Sequence, residues 1–150
     1  MTKKELLSID QSFFYRASNR RVFRALTDPA ELTRWFVAKA DLPHEAGAAY
    51  RFEWPGGYSH VGTVEEFVPP RRLSLTWPHG PVRGRFYTRV TFTVRRAGPG
   101  TFVSVHHTGF PSTPKGLAQY GGTQSGWAYY LLNLRSVLEF GRDLRSPRDA

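Results

Sequence analysis

The chain has 150 residues, enough for one domain whose core needs neither disulfide nor metal. With 40% hydrophobic and 22% charged residues it falls among globular domains, and the absence of Cys excludes disulfides, thiolate catalysis and thiolate metal sites. The formal charge is +9, yet the 17 Arg are scattered in ones and twos, as at Arg20-Arg21, Arg71-Arg72 and Arg95-Arg96. No run reaches the five or six like charges of a binding tail, so the reading is a solvated basic surface and no nucleic-acid partner.

Near the N-terminus, Leu6-Leu7 is broken by Ser8 and Asp10, so no apolar stretch of signal-peptide length forms. Nothing approaches the roughly 20 apolar residues of a membrane span, and a cytoplasmic protein with no membrane partner is expected. A first strand is predicted over residues 8–16, with Ile9, Phe13 and Tyr15 on one face at period two. Ser18 caps a short helix through Val22, Phe23 and Leu26. Asp28-Pro29-Ala30-Glu31 then carries a cap, a first-turn Pro and a capping-box acid, which predicts a second short helix to about Trp35-Phe36.

A meander follows. Tyr50, Phe52 and Trp54 alternate with Arg51 and Glu53, and Pro55-Gly56-Gly57 turns the chain into a strand over 60–68. Pro69-Pro70 forces a reversal, after which Leu73, Leu75 and Trp77 share a face. Phe86, Val90, Phe92 and Val94 alternate with polar residues, and a last strand over 101–110 sets Val103, Val105 and His107 on one side. Trp127, Leu131, Leu134 and Leu138 then recur at helical spacing, predicting a helix over 123–140 that ends at Gly141. Thr113-Pro114 offers an earlier start, against which Gly121-Gly122 speaks. The residues after Ser146 are expected to be loose.

Four segments carry a resemblance: Ala17 to Leu32, Gly62 to Leu73, His107-Thr108-Gly109-Phe110, and Gly126-Trp127 at the head of the helical stripe. Their order resembles the helix-grip fold of the START-like (SRPBCC) superfamily. Within it, they are similar to the subfamily of the activator of the ninety-kilodalton heat-shock protein's ATPase. The resemblance covers about Ile9 to Gly141. It implies one α+β domain over residues 1–150, ordered from about 8 to 145, with a six-stranded curved antiparallel sheet, two short helices and a long C-terminal helix. Family members hold apolar or amphipathic small molecules between sheet and helix, some relatives are cyclases or hydrolases, and the eukaryotic namesake binds a chaperone.

The chemistry-bearing residues give little else. Adjacent strand residues face opposite sides, so neither His106-His107 nor Glu65-Glu66 can act as a pair. His44 and His79 read as loop residues and His60 as distant, and no metal site or cofactor is expected. No Gly-x-Ser-x-Gly elbow occurs, and no second polar group is expected to converge on His107. Gly126 is expected to let the helix backbone approach a strand or the short helices. Together, alternation and resemblance predict a cavity for a small apolar ligand walled by Trp35, Tyr50, Trp54, Trp77, Phe92, His107, Trp127 and Tyr130. His107 reads either as a hydrogen-bonded core histidine at the end of its strand or as a polar anchor in that cavity. A co-chaperone surface for a protein partner is the alternative, and a cyclase- or hydrolase-type enzyme using His107 or Tyr130 is the third. The chain is expected to be a monomer or a homodimer.

Overall fold

A computed structural model describes residues 6–146. The elements run β1 (Leu6–Tyr15), α1 (Asn19–Thr27), α2 (Pro29–Leu32), β2 (Lys39–Asp41), β3 (Ala49–Glu53), β4 (Ser59–Val68), β5 (Arg72–His79), β6 (Phe86–Ala97), β7 (Gly100–Pro111) and α3 (Pro114–Phe140). All strands form one curved antiparallel sheet in the order β1-β7-β6-β5-β4-β3-β2. The sheet therefore has seven strands where six were expected. The extra one, β2, has three residues and pairs only with β3, through Lys39↔Glu53 to Asp41↔Arg51. Three residues are too few to show an alternation, which is why it cannot be read from the sequence.

Local signals explain the short helices. The Ser18 hydroxyl accepts from the Arg21 amide at 3.1 Å, and Asp28 Oδ1 accepts from the amides of Ala30 and Glu31. The second helix is shorter than expected: it stops at Leu32, and residues 33–36 are turns. Those turns deliver Trp35 and Phe36 into the core, at 1% and 4% exposure.

The long helix is longer than the apolar stripe. Thr113 caps it, its hydroxyl accepting from the Gly116 amide at 3.1 Å, and Pro114 occupies the first turn. The helix then runs unbroken through Gly121-Gly122 to Gly141, which closes it at φ 71°. Its second half does the packing. Trp127, Leu131, Leu134 and Val137 are buried, and Leu138 is half-buried against the core. Tyr15 Oη donates to the Leu131 carbonyl at 2.8 Å, Gln11 Nε2 to the Gln124 carbonyl at 3.0 Å, and Tyr120 Oη to the Ser8 carbonyl at 3.1 Å. All three ties go to β1. The helix is therefore moored along one edge of the sheet, and its first half meets the β5 side through Gln119, which lies 3.2 Å from His79.

The far end is closed by the chain after α3. Asn133 Nδ2 donates to the Trp35 carbonyl at 3.0 Å, and its Oδ1 accepts from the Leu144 amide at 2.6 Å. Arg145, 8% exposed, reaches the carbonyls of Thr33 and Val37 while pairing with Asp143 at 2.9 Å. The expectation about residues after Ser146 lies outside the described residues.

Candidate functional site

Because α3 is moored to β1, the open side of the grip lies over β3 to β5. A cavity of about 470 Å³ opens there, within the usual range for small-molecule sites. Its floor is aromatic: Trp54 from the end of β3, Trp77 from β5 and Phe36 from the turn after α2. These rings meet edge to face or stacked, Phe36 lying 5.4 Å from Trp54 and 6.2 Å from Trp77.

The roof is α3, and its sequence explains the empty space. Ala118, Gly122, Gly126 and Tyr130 stand four apart and so form one row along the helix; Gln119, Thr123 and Trp127 form the next. A Cβ placed on Gly122 or Gly126 would meet nothing within 4 Å. These glycines do not bring the backbone against a strand, contrary to the expectation for Gly126. They hollow the helix face instead. Each interior Gly costs a helix roughly 1 kcal/mol against Ala, so the cavity is held open at a cost to helix stability.

Two polar chains lie beneath the aromatic walls. In the first, Trp127 Nε1 donates to His107 Nδ1 at 2.9 Å. An indole N–H can only donate, so His107 carries its own proton on Nε2 and gives it to Thr88 Oγ1 at 2.6 Å. Thr88 Oγ1 also lies 2.7 Å from His79 Nε2, and His79 Nδ1 lies 3.2 Å from Gln119 Oε1 on the helix. Thr88 Oγ1 lies 3.2 Å from the Trp77 carbonyl as well, so its single proton goes either there or to His79 Nε2, and the tautomer of His79 follows from which of the two accepts it. Sheet and helix are thus stitched by Trp127, His107, Thr88, His79 and Gln119 in sequence. Burial holds His107 at about 3, far below the ordinary imidazole, and lowers His79 in the same direction.

The second chain sits where the sheet parts. The β4–β5 ladder reaches Val64↔Leu75 and goes no further toward the start of β4. Side chains satisfy the groups beyond it: Thr76 Oγ1 accepts from the Thr63 amide at 2.8 Å, and Tyr50 Oη donates to the Thr76 carbonyl. A Cβ on Gly62 would strike the Tyr50 ring, so this glycine gives the ring its path. Tyr50 Oη is also 3.1 Å from Nε2 of His60, which lines the cavity at 4% exposure. Burial first, and the fields of His79 and Arg85 after it, hold His60 at about 3.

Of the wall residues predicted, Trp54, Trp77, Trp127 and Tyr130 line the cavity. The other four stand behind it. Trp35 donates to the Ala25 carbonyl at 2.9 Å, Phe92 meets Trp127 edge to face at 5.3 Å, Tyr50 underlies His60, and His107 is wholly buried with both ring nitrogens engaged. Polar groups do converge on His107, in contrast to the expectation. His79 is no loop residue: it ends β5 and lies one hydroxyl away from His107. His60 and Gln119 are wall residues that the sequence reading missed. His60 was legible as an inward residue, alternating with Gly62 and Val64; Gln119 became legible only once the helix was known to begin at Pro114.

Among the described residues there is no group of three or more His, Cys, Asp or Glu placed to hold a metal ion, and no helix long and apolar enough to cross a membrane. A second depression, between α1 and Pro69-Pro70, is lined by Arg20, Arg24 and His44. Phe23 and Phe67 also line it, the His44 ring stacks on Phe67 at 4.6 Å, and Arg24 there is engaged with Glu31 at 3.6 Å.

A seven-stranded sheet gripping one long helix, with an aromatic cavity on its unmoored side, defines a helix-grip protein. More narrowly, the chain belongs to the family of activator of Hsp90 ATPase homolog 1-like proteins, which it matches across residues 16–139. No curated protein matches it. Similar solved structures include protein MLL2253 from Mesorhizobium loti, at 24% identity and a TM-score of 0.80, covering 89% of this chain and 97% of that one. The Aha1 dimer from Colwellia psychrerythraea is 22% identical with a TM-score of 0.77, covering 91% of this chain and 98% of its own. CalU16 from Micromonospora echinospora is 23% identical at a TM-score of 0.68, covering 97% and 88%. At these identities the likeness is one of fold.

Proposed function

We propose that the protein binds a small hydrophobic or amphipathic ligand between the sheet and the first half of α3. The observation that carries this reading is the row Ala118, Gly122, Gly126 and Tyr130, which spends helix propensity to keep an aromatic-walled space open. The same space filled by Leu or Val would make a more stable helix and a tighter core. Catalysis by the buried imidazoles has less support. His60 and His107, both held at about 3, are too weakly basic for general-base work near neutral pH.

The test is a titration of the protein with naphthalene-sized aromatic and linear aliphatic compounds, read by Trp fluorescence and by melting temperature. Trp54, Trp77 and Trp127 border the space, so occupancy should quench or shift their emission and raise the melting temperature by mass action. Within an aliphatic series each added methylene should tighten binding by roughly 0.8 kcal/mol until the space is full. If no compound binds more tightly than about 1 mM, the reading fails.

A further inference from the structure

The depression between α1 and Pro69-Pro70 is separate from the cavity under α3, and the two share no lining residue. It holds about 470 Å³, room for a fused pair of rings and a charged group. One side of it is apolar. The His44 ring stacks on Phe67 at 4.6 Å, and Phe67 meets Phe23 at 5.6 Å. The Thr27 carbonyl can only accept, so His44 donates to it from Nε2 at 3.0 Å, which pins the ring in place. The outcome is a fixed flat plate rimmed by Pro69 and Pro70.

The other side is cationic. Arg20 and Arg24 stand four residues apart on α1, so their side chains share one face. Like charges at that spacing repel, and Arg20 lies in the first turn, where the helix field also disfavours a cation. Nothing in the fold offsets this for Arg20, which is exposed and has neither ion pair nor hydrogen bond among the described residues. Glu31, the acid beside α1, holds Arg21 at 3.1 Å and Arg34 at 3.2 Å, and Arg24 only at 3.6 Å. Asp28 lines the depression too, but its Oδ1 is taken up by the amides of Ala30 and Glu31.

From this arrangement we infer that the depression is a second ligand site, taking a small aromatic acid. The ring lies against His44 and Phe67, and the anionic group meets the guanidinium groups of Arg20 and Arg24. Guanidinium is the cation best matched to a carboxylate or a phosphate, which it can meet through two parallel N–H bonds. A neutral aromatic would use the plate alone, and an ammonium would be repelled by both arginines. The inference does not depend on the ligand reading for the cavity.

The experiment titrates the full chain with naphthoate, naphthyl phosphate, methyl naphthoate and naphthylmethylammonium, following the His and Trp ring signals by NMR. No Trp lines the depression, so His44 reports this site, while Trp54, Trp77 and Trp127 report the cavity. At least one of the two acids is expected to move the His44 signals, binding about tenfold or more tightly than the neutral ester. Added salt should weaken that acid and leave the ester unchanged. Arg20→Gln should cost the acid about tenfold in affinity and spare the ester, with the melting temperature of the free variant kept or raised because a like-charge contact is relieved. Equal binding of ester and acids at His44, tighter binding of the ammonium, or an Arg20→Gln variant that binds the acids as the unaltered chain does overturns the inference. So does an acid that moves only the Trp signals, or no response at His44 to either acid up to about 10 mM. Each of these results leaves the cavity reading intact, since that reading is judged by neutral compounds at the Trp signals.

Discussion

Trp127 Nε1 sits 2.9 Å from His107 Nδ1, and this contact joins the middle of the long helix to the centre of the sheet. On the sheet side His107 pairs with Ile9 of β1 and Val90 of β6, so its ring is held from both flanking strands. The indole fixes the imidazole tautomer, and the imidazole fixes the rotamer of a residue that walls the cavity. Trp127→Phe keeps most of the apolar volume and removes the donor. It should cost about 1–3 kcal/mol, the usual penalty for stranding a buried acceptor, beyond what the lost ring area accounts for. Urea unfolding measures it; a cost below about 0.5 kcal/mol would mean that the contact does not hold the two layers together.

Acid should weaken the fold early. His60 and His107 are both held at about 3 when folded, against the ordinary 6.5. Between those values the unfolded chain binds protons that the folded chain refuses, so stability falls as the pH drops from about 6.5 toward 3. The slope is at most about 1.4 kcal/mol per pH unit for each histidine. Asp143 acts lower down. Its hydrogen bonds with Arg145, ahead of the opposing effect of burial, hold it at about 2, so its contribution is present above about 3.8 and lost as the pH falls through 2. Urea midpoints at neutral and mildly acidic pH should separate accordingly, and His107→Gln should flatten the profile whatever it does to absolute stability. A stability unchanged down to pH ~4.5 would contradict the His107 tautomer derived above.

Leu131 and Leu134 are both fully buried where α3 packs on the sheet, so Leu134→Ala should cost about 2–5 kcal/mol. Arg135 on the outer face is exposed and paired with Glu139 at 2.9 Å. The Glu139 side chain is only 8% exposed but keeps Arg16 at 3.9 Å as a second partner, so Arg135→Ala should cost at most about 1 kcal/mol. Comparable losses from both substitutions would mean that the helix is not seated as described.

The sheet was legible in the sequence because inward and outward residues alternate cleanly, as at Val103, Val105 and His107, each at most 1% exposed. The end of the helix was legible for a similar reason, since Gly141 follows an apolar stripe of regular spacing. Its beginning was not. From Pro114 to Gly126 the helix faces a cavity rather than a core, so it carries no apolar stripe, and Gly121-Gly122 imitates a turn. A face that packs against nothing leaves no periodicity to read. The His79–Thr88–His107 cluster was hidden for another reason, because pairing of β5, β6 and β7 brings together residues that are far apart in the chain. Arg145 shows the same limit for charge: one Arg among 17 is buried by carbonyls of the 33–37 turn, and its type alone gives no sign of that.

The glycines of α3 offer the sharpest separation between fold and function. Gly121, Gly122 and Gly126 all face open space, where an added Cβ meets nothing within 4 Å, but only Gly122 and Gly126 line the cavity. Replacing any of them by Ala should raise stability by about 0.5–1 kcal/mol, because helix propensity improves and no neighbour has to move. Ligand binding should respond differently at each position. Gly121→Leu should leave it unchanged, whereas Gly126→Leu sends a four-carbon side chain between Trp127 and Tyr130 into the occupied volume. Affinity for naphthalene-sized compounds should then fall by at least about tenfold, or 1.4 kcal/mol, with the melting temperature of the free protein kept or raised. Fluorescence titration and thermal melts on these five variants read both quantities. Unaltered affinity in Gly126→Leu would place the bound compound elsewhere on the molecule. A loss of stability in Gly122→Ala would show that the face is already filled by neighbouring side chains.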